Sequence, residues 1–233
     1  MGMSKKLVKY LSGFVTENRL KRFEEIIQHR TRHLTVVLED IYQPHNAAAV
    51  LRSCDCFGIQ DVHVIENQNK FEANPDVELG SAKWITLIKH TSKENNTGNC
   101  IASLKKNGYK IIVTSPHTND CSIEELDITH KTALFFGTEM RGATPVAFEQ
   151  ADGFVKIPMV GFTESLNISV SAAVTLYTLT SHLKKSSVDW KLTEEEQLAI
   201  RLQWLRNSIP KCEMMEKEFV TTQPINQGIY HKK

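Results

Sequence analysis

The stretch "KTALFFGTEMRGATPVAFEQADGFVKIPM", residues 131–159, reads as a strand, a glycine-containing loop, a short helix and a second strand. Upstream the theme repeats. "NTGNCIASLKKNGYKIIVTSP" (96–116) predicts a helix ending at Gly108 and then a strand over 109–114. "LTVVLED" (34–40) is a β-branched run of the kind that fills a buried parallel strand. "QPHNAAAVLRSCDCFGI" is helical from about Pro44 and closed by Gly58, and "DVHVIE" is a further strand. Strands and helices alternating at this size mean an α/β domain whose largely parallel sheet is covered on both faces.

The ends read differently. Residues 4–31 are helical by pattern: Thr16 with Glu17 starts a segment in which Leu20, Phe23, Ile26 and Ile27 share one face, with Arg19, Lys21, Arg22 and Arg30 opposite. After a core helix over about 167–185, "SSVDW" is a hinge. "LTEEEQLAIRLQWLRNSIP" then carries a Thr193–Glu196 capping box and stops before Pro210. The last residues, "TTQPINQGIYHKK", are expected to fray. The expected organisation is a basic helical arm (1–33), an α/β body (34–185) and a C-terminal helical extension (186–233).

With 233 residues, 41% of them hydrophobic, the chain can bury a sizeable core. It has no run of about 18 apolar residues, and its N-terminus is too polar for a secretory signal, so a cytoplasmic protein without a membrane partner is expected. The five cysteines are odd in number and include no Cys-x-x-Cys, against both a disulfide framework and a zinc ribbon. The nine histidines show no metal-ligand spacing, and no metal is expected. The net charge of +1 conceals a segregation: residues 1–33 hold eight Lys/Arg against three Glu, residues 34–180 eleven against seventeen acids, and residues 181–233 nine against seven. A basic arm beside an acidic body is an electrostatic footprint for phosphate-bearing partners.

No Gly-x-Gly-x-x-Gly follows a strand, and "GTEMRGAT" (137–144) lacks the Gly-Lys-Ser/Thr of a phosphate loop, which disfavours dinucleotide oxidoreductases and P-loop enzymes. The strand ends carry short polar loops instead: "QPHN" (43–46), "TSPH" (114–117), "FGTEMRG" (136–142) and "IPMVGFTESLN" (157–167). Such loops hold a ligand through backbone groups, and ligands in α/β sheets sit at the C-terminal strand ends. "FTESLNISVSAAVTLYTL" (162–179) also places Glu164, Ser165, Asn167 and Ser169 at the mouth of a core helix, more polar groups than capping alone requires.

Three blocks, "HNAAAVLRSCDCFGI", "LFFGTEMRGAT" and "IPMVGFTESLNISVSAAVTLY", in that order, resemble the signature motifs of the SpoU/TrmH family of RNA 2′-O-methyltransferases. With the upstream "TENRLKRFEEIIQHRTRHLTVVLEDIYQP", the likeness extends over about residues 16–210 and is nearest to the branch that methylates the D-loop guanosine of tRNA, conventionally numbered 18. The resemblance implies S-adenosylmethionine as methyl donor and a homodimer whose active site draws on both subunits. It also implies a SPOUT fold, a mostly parallel sheet with helices on both faces and a deep C-terminal trefoil knot.

Carried onto this chain, the resemblance implies Asn46, Arg52, Glu139, Ser165 and Asn167 as catalytic residues, and Thr114, Gly137, Ile157, Met159, Ser165, Leu166 and Ile168 around the donor. Arg52, in an otherwise apolar helix, would on structural grounds pair with Asp55 or let its stem snorkel; the resemblance makes it central to catalysis. Its pKa above about 12 leaves almost no neutral form at pH 7, so its expected work is to bind the adjacent phosphate and stabilise a developing alkoxide. Asn46 is expected to cap its own helix as well. For RNA, Arg19, Arg22, Arg30 and Arg32 are the leading phosphate contacts, with Lys184 and Lys185 next. One departure from related tRNA enzymes is "TSHLKKSS" where arginines are common. The rival readings are an rRNA ribose methyltransferase of the same family and a non-catalytic RNA-binding or assembly protein that keeps the fold.

Overall fold

The structure, a computed structural model, describes residues 2–72, 75–92, 95–116, 121–138 and 142–222. In chain order the elements are α1 (Met3–Ser12), α2 (Glu17–Ile27), β1 (Leu34–Glu39), α3 (Pro44–Phe57), β2 (Asp61–Ile65), α4 (Pro75–Glu78), β3 (Thr86–His90), α5 (Asn96–Lys106), β4 (Lys110–Thr114), β5 (Cys121–Ser122), β6 (Thr132–Phe136), α6 (Pro145–Gln150), β7 (Gly153–Lys156), α7 (Ile168–Lys185), α8 (Glu194–Ser208) and α9 (Cys212–Thr222). Among the described residues the strands form one sheet in the order β3-β2-β1-β6-β4-β7-β5, and all its pairings are parallel.

The chain divides into two compact units, His29–Lys191 and Met1–Gln28 with Leu192–Lys233. In the first, strand alternation sends neighbouring side chains to opposite faces. Val36 and Leu38 of β1 join Val50, Leu51 and Cys54 of α3 and Ala172, Leu176 and Leu179 of α7 in one core. Val37 joins Ile111 and Val113 of β4, Phe135 of β6, and Ile101 and Leu104 of α5 in the other. Each fully buried aliphatic side chain contributes about 1.5–3 kcal/mol of transfer free energy. The sheet is therefore covered on both sides, as the alternating pattern requires.

The body begins at His29 because the segment before β1 is tied into it. The Arg30 guanidinium is only 2% exposed, pairs with Asp55 and donates to the Ile59 carbonyl at 3.3 Å. Thr31 receives a bond at its carbonyl from Gln60 N–H, donates its own N–H to the Gly58 carbonyl at 2.9 Å, and donates Oγ1–H to the Trp190 carbonyl at 2.7 Å. Gly58 closes α3 at φ +84°, and a Cβ there would lie 2.3 Å from the His29 carbonyl oxygen. Only glycine meets both demands.

The other unit is helical. The stretch 4–31 resolves into α1 and α2, separated around Gly13; Thr16 accepts from Arg19 N–H as N-cap of α2. Phe23 packs on Trp204, Tyr10 on Phe219, and Arg201 grips Glu24 through two bonds of 2.6 and 2.7 Å. The Thr193–Glu196 capping box is present in α8. Four elements escape the sequence reading: α4 (a single four-residue turn), β3, β5 and α9. β3 is an edge strand without full burial, β5 has two residues, and α9 follows Pro210 and Lys211, the latter at φ +55°. Of the expected frayed end, Thr221 and Thr222 belong to α9 and residues 223–233 lie outside the described residues.

Candidate active site

Thr114 ends β4, Phe136 ends β6 and Lys156 ends β7, so three parallel strands present their C-terminal edges together. Over them lies a cavity of about 280 Å³, near the lower limit of the roughly 300–1,000 Å³ typical of small-molecule sites. All seven residues expected around the donor line it: Thr114, Gly137, Ile157, Met159, Ser165, Leu166 and Ile168. Ile123, Phe136, Phe148 and Val155 add apolar wall, while Ser115, Thr138, Ser171 and Thr175 add hydroxyls. Sequence reasoning passed over Ser171 and Thr175, although their spacing from Ile168 puts all three on one side of α7.

The two described flanks of the loop after β6 meet each other. Thr138 and Gly142 exchange backbone bonds of 2.9 Å in both directions. A Cβ on Gly137 would stand 2.1 Å from Ala143 N and 2.2 Å from the Gly142 carbonyl carbon. Beneath it Glu39, at the end of β1 and 1% exposed, takes a hydrogen bond from Thr97 Oγ1 (2.5 Å), from Thr144 N (2.8 Å) and from Thr144 Oγ1 (2.9 Å). Thr144 is also the N-cap of α6. One buried carboxylate thus fixes the start of α5 and the far end of the cavity loop. A lone Glu ending an apolar strand was the available signal.

Asn167 does two things. Its Oδ1 accepts from Ser169 N (2.8 Å) and Ser169 Oγ (2.6 Å), capping α7, while its Nδ2 donates to Asn46 Oδ1 at 3.2 Å. Asn167 sits between the cavity-lining Leu166 and Ile168, so this bond draws the start of α3 to the cavity. Asn46 does not cap its helix, contrary to expectation. Pro44 occupies the first turn and Gln43 is the N-cap residue, which leaves Asn46 Nδ2 to donate to Gln43 Oε1 at 3.0 Å.

Arg52 projects from α3 into solvent. The expected partner Asp55 is taken by Arg30, and Arg52 forms no ion pair among the described residues. It is not among the residues lining the cavity of this chain. Glu139 lies outside the described residues. Ser165 lines the cavity, and Glu164 is exposed.

The expected RNA contacts divide. Arg19 and Arg22 are exposed on α2, Arg22 in a surface pair with Glu25, and Lys184 and Lys185 are exposed in the last turn of α7. Arg30 is a correction: sequestered by Asp55, it is a structural cation unavailable to phosphate. Arg32, three-quarters buried at its side chain, pairs with Asp61 at 2.9 Å and is a second correction. Both lie in the segment that enters the sheet, where burial demands a paired charge.

Several apolar side chains near the cavity residues in the chain are exposed. Val160 and Phe162 are fully exposed, and Val170, Val174 and Tyr177 form an exposed stripe at helical spacing along α7, Tyr177 being 62% exposed. No described helix is long and apolar enough to cross a membrane.

The model of the SpoU rRNA methylase family matches residues 33–177. The chain belongs to the SpoU methylase family. Within this family, a Borreliella burgdorferi protein named tRNA (guanosine(18)-2′-O)-methyltransferase is 43% identical over 211 residues, covering 91% of this chain and 95% of that protein. The crystal structure of the A. aeolicus TrmH/SpoU tRNA modifying enzyme matches with a TM-score of 0.74 at 29% identity, over 84% of this chain and 98% of that one. The SpoU methyltransferase AviRb of Streptomyces viridochromogenes, solved in complex with the cofactor AdoMet, matches with a TM-score of 0.59 at 23% identity, over 70% of this chain and 65% of that one. At that identity the likeness shows the fold.

Proposed function

We propose that this SpoU-family chain is an S-adenosylmethionine-dependent tRNA (guanosine-2′-O)-methyltransferase that acts on the D-loop guanosine at position 18. The observation that carries the reading is the convergence of three separated sequence blocks: Gly137 from the second and Ile157 to Ile168 from the third line one cavity, and Asn46 from the first is bonded to Asn167 at its edge. The 43% identity to the Borreliella burgdorferi protein supports the choice of tRNA over rRNA.

The cavity fits the donor: apolar walls suit an adenine ring, and the glycine backbone at Gly137 allows close approach. Bound there, S-adenosylmethionine supplies a methyl group on a sulfonium, and the protein's task is to present a ribose oxygen in line with it. Asn46 and Asn167 brace each other to orient the nucleotide, Ser165 lines the cavity, and Glu139 serves as the carboxylate that anchors Arg52, Asn167 or the guanosine. Arg52 holds the phosphate next to the target ribose and stabilises the developing 2′-alkoxide, the hydroxyl proton passing to that phosphate. Positioning supplies most of the rate.

The active unit is a homodimer. The exposed stripe Val170–Val174–Tyr177 and the fully exposed Val160 and Phe162 are chain neighbours of the cavity-lining Met159, Ser171 and Thr175, and a second copy covering them brings Arg52 and the cavity into a shared site. The C-terminal side of the sheet carries the family's trefoil knot. The arm cations Arg19 and Arg22, with Lys184 and Lys185, hold the tRNA backbone. The enzyme works in the cytoplasm, a reading supported by five free thiols.

The test is methyl transfer from tritiated S-adenosylmethionine to unmodified tRNA and, separately, rRNA. Label in tRNA alone is expected; label in rRNA alone moves the chain to the ribosomal branch, and label in neither refutes the activity.

A further inference from the structure

His63 lies on β2, His90 ends β3 and Cys100 lies in the second turn of α5. No motif spacing connects them, which is why a metal was not expected. The parallel register sets His63 beside Ile88 and Ile65 beside His90, so both histidines point to the face that α5 covers. Their rings stack with centroids 5.3 Å apart and planes 18° from parallel, and His63 Nδ1 lies 3.0 Å from His90 Nε2. Cys100, fully buried and without a hydrogen bond among the described residues, completes a group whose three ligand atoms all lie within 4.8 Å of one another.

We propose that His63, His90 and Cys100 bind a zinc ion that clamps the edge strand β3 to α5. Two imidazoles and a thiolate are a donor set for zinc rather than for magnesium or calcium. Bond lengths of about 2.0–2.3 Å around a tetrahedral ion place its ligand atoms roughly 3.3–3.6 Å apart, within a small rotation of the half-exposed His90. Binding displaces the Cys100 proton to solvent, and the ring proton shared between the histidines moves to a far ring nitrogen. Two neutral imidazoles and one thiolate leave the site with one net positive charge, which the nearby buried Glu39 opposes. Three protein ligands leave a fourth position for water past His90. The cavity lies over β4, β6 and β7, on the other side of β1, so the clamp is structural and separate from methyl transfer.

Tag-free protein is equilibrated with zinc or cobalt(II), freed of excess ion and assayed for bound metal and for its visible spectrum, beside Cys100→Ser and His90→Gln, with circular dichroism to verify folding. The expected result is one equivalent of retained zinc, a thiolate-to-cobalt charge-transfer band and a higher Tm with zinc. Cys100→Ser should lose the band, and His90→Gln should bind at least tenfold more weakly. Wild-type protein that retains no more zinc than His90→Gln, or a cobalt band that survives in Cys100→Ser, overturns the proposal. Should Cys100→Ser fail to fold, the wild-type stoichiometry and the His90→Gln affinity decide alone.

Discussion

Asn167 Nδ2 donates to Asn46 Oδ1 across 121 residues of sequence, while the other end of the same carboxamide caps α7. Substitution separates the two functions. Asn167→Ser keeps an N-cap acceptor but is too short to reach Asn46, so its stability should stay within about 0.5 kcal/mol of wild type while methyl transfer falls ten- to a hundredfold, about 1.4–2.7 kcal/mol in the barrier. Asn167→Ala should show the same catalytic loss and a further cost of about 1 kcal/mol in urea unfolding. Equal activity for wild type and Asn167→Ser would reduce this residue to a cap.

Arg52→Ala removes an exposed side chain with no ion pair among the described residues, so folding stability should move by less than about 0.5 kcal/mol. Methyl transfer should be abolished while the affinity for S-adenosylmethionine, measured by calorimetry, stays nearly intact. Normal turnover in this variant would take Arg52 out of the mechanism.

Gly137→Ala tests the cavity loop. The added Cβ meets Gly142 and Ala143 backbone near 2.2 Å, a clash that only a shift of the loop relieves. Donor affinity should drop at least tenfold, about 1.4 kcal/mol, with the thermal transition less affected. Wild-type affinity would show that the loop does not shape the donor site.

Glu39→Gln replaces one carboxylate oxygen by an amide N–H₂ that faces donors on Thr97 or Thr144. A buried mismatch of this kind costs about 1–3 kcal/mol, and because Thr144 ends the cavity loop, donor binding should weaken as well. An unchanged urea midpoint would mean that the network is dispensable.

These positions differ in how far the sequence betrays them. The family motifs named seven of the residues that line the cavity, though not Ser171 or Thr175, and the alternation of strands and helices, the Gly58 stop and the capping box of α8 were readable as local chemistry. The edge strand β3 was not: its pattern is only partly buried, and its identity as a strand comes from pairing with β2. The His63–His90–Cys100 group was hidden for the same reason, since only strand register brings distant positions to one face; Glu39 left a signal, a lone acid ending an apolar strand, but not its partners Thr97 and Thr144. Arg30 and Arg32 were misread as phosphate ligands because a cation two or four residues before a strand looks the same in sequence whether it meets solvent or a partly buried Asp.

The proposed dimer predicts that wild type sediments as two copies and Val174→Glu as one, without unfolding, because Val174 is exposed in the single chain. Methyl transfer should be lost with the dimer. A monomeric variant that retained full activity would show that one chain holds the complete site.

The account rests on a ribose oxygen as the methyl acceptor, and a tRNA transcript assembled with 2′-deoxyguanosine at position 18 tests that most directly. Compared with the all-ribose transcript under single-turnover conditions, it should bind with similar affinity and accept no methyl group, while the all-ribose transcript gains one 2′-O-methylguanosine. Equal methylation of the two transcripts would contradict the assignment, because the acceptor would then be some other atom or another nucleotide.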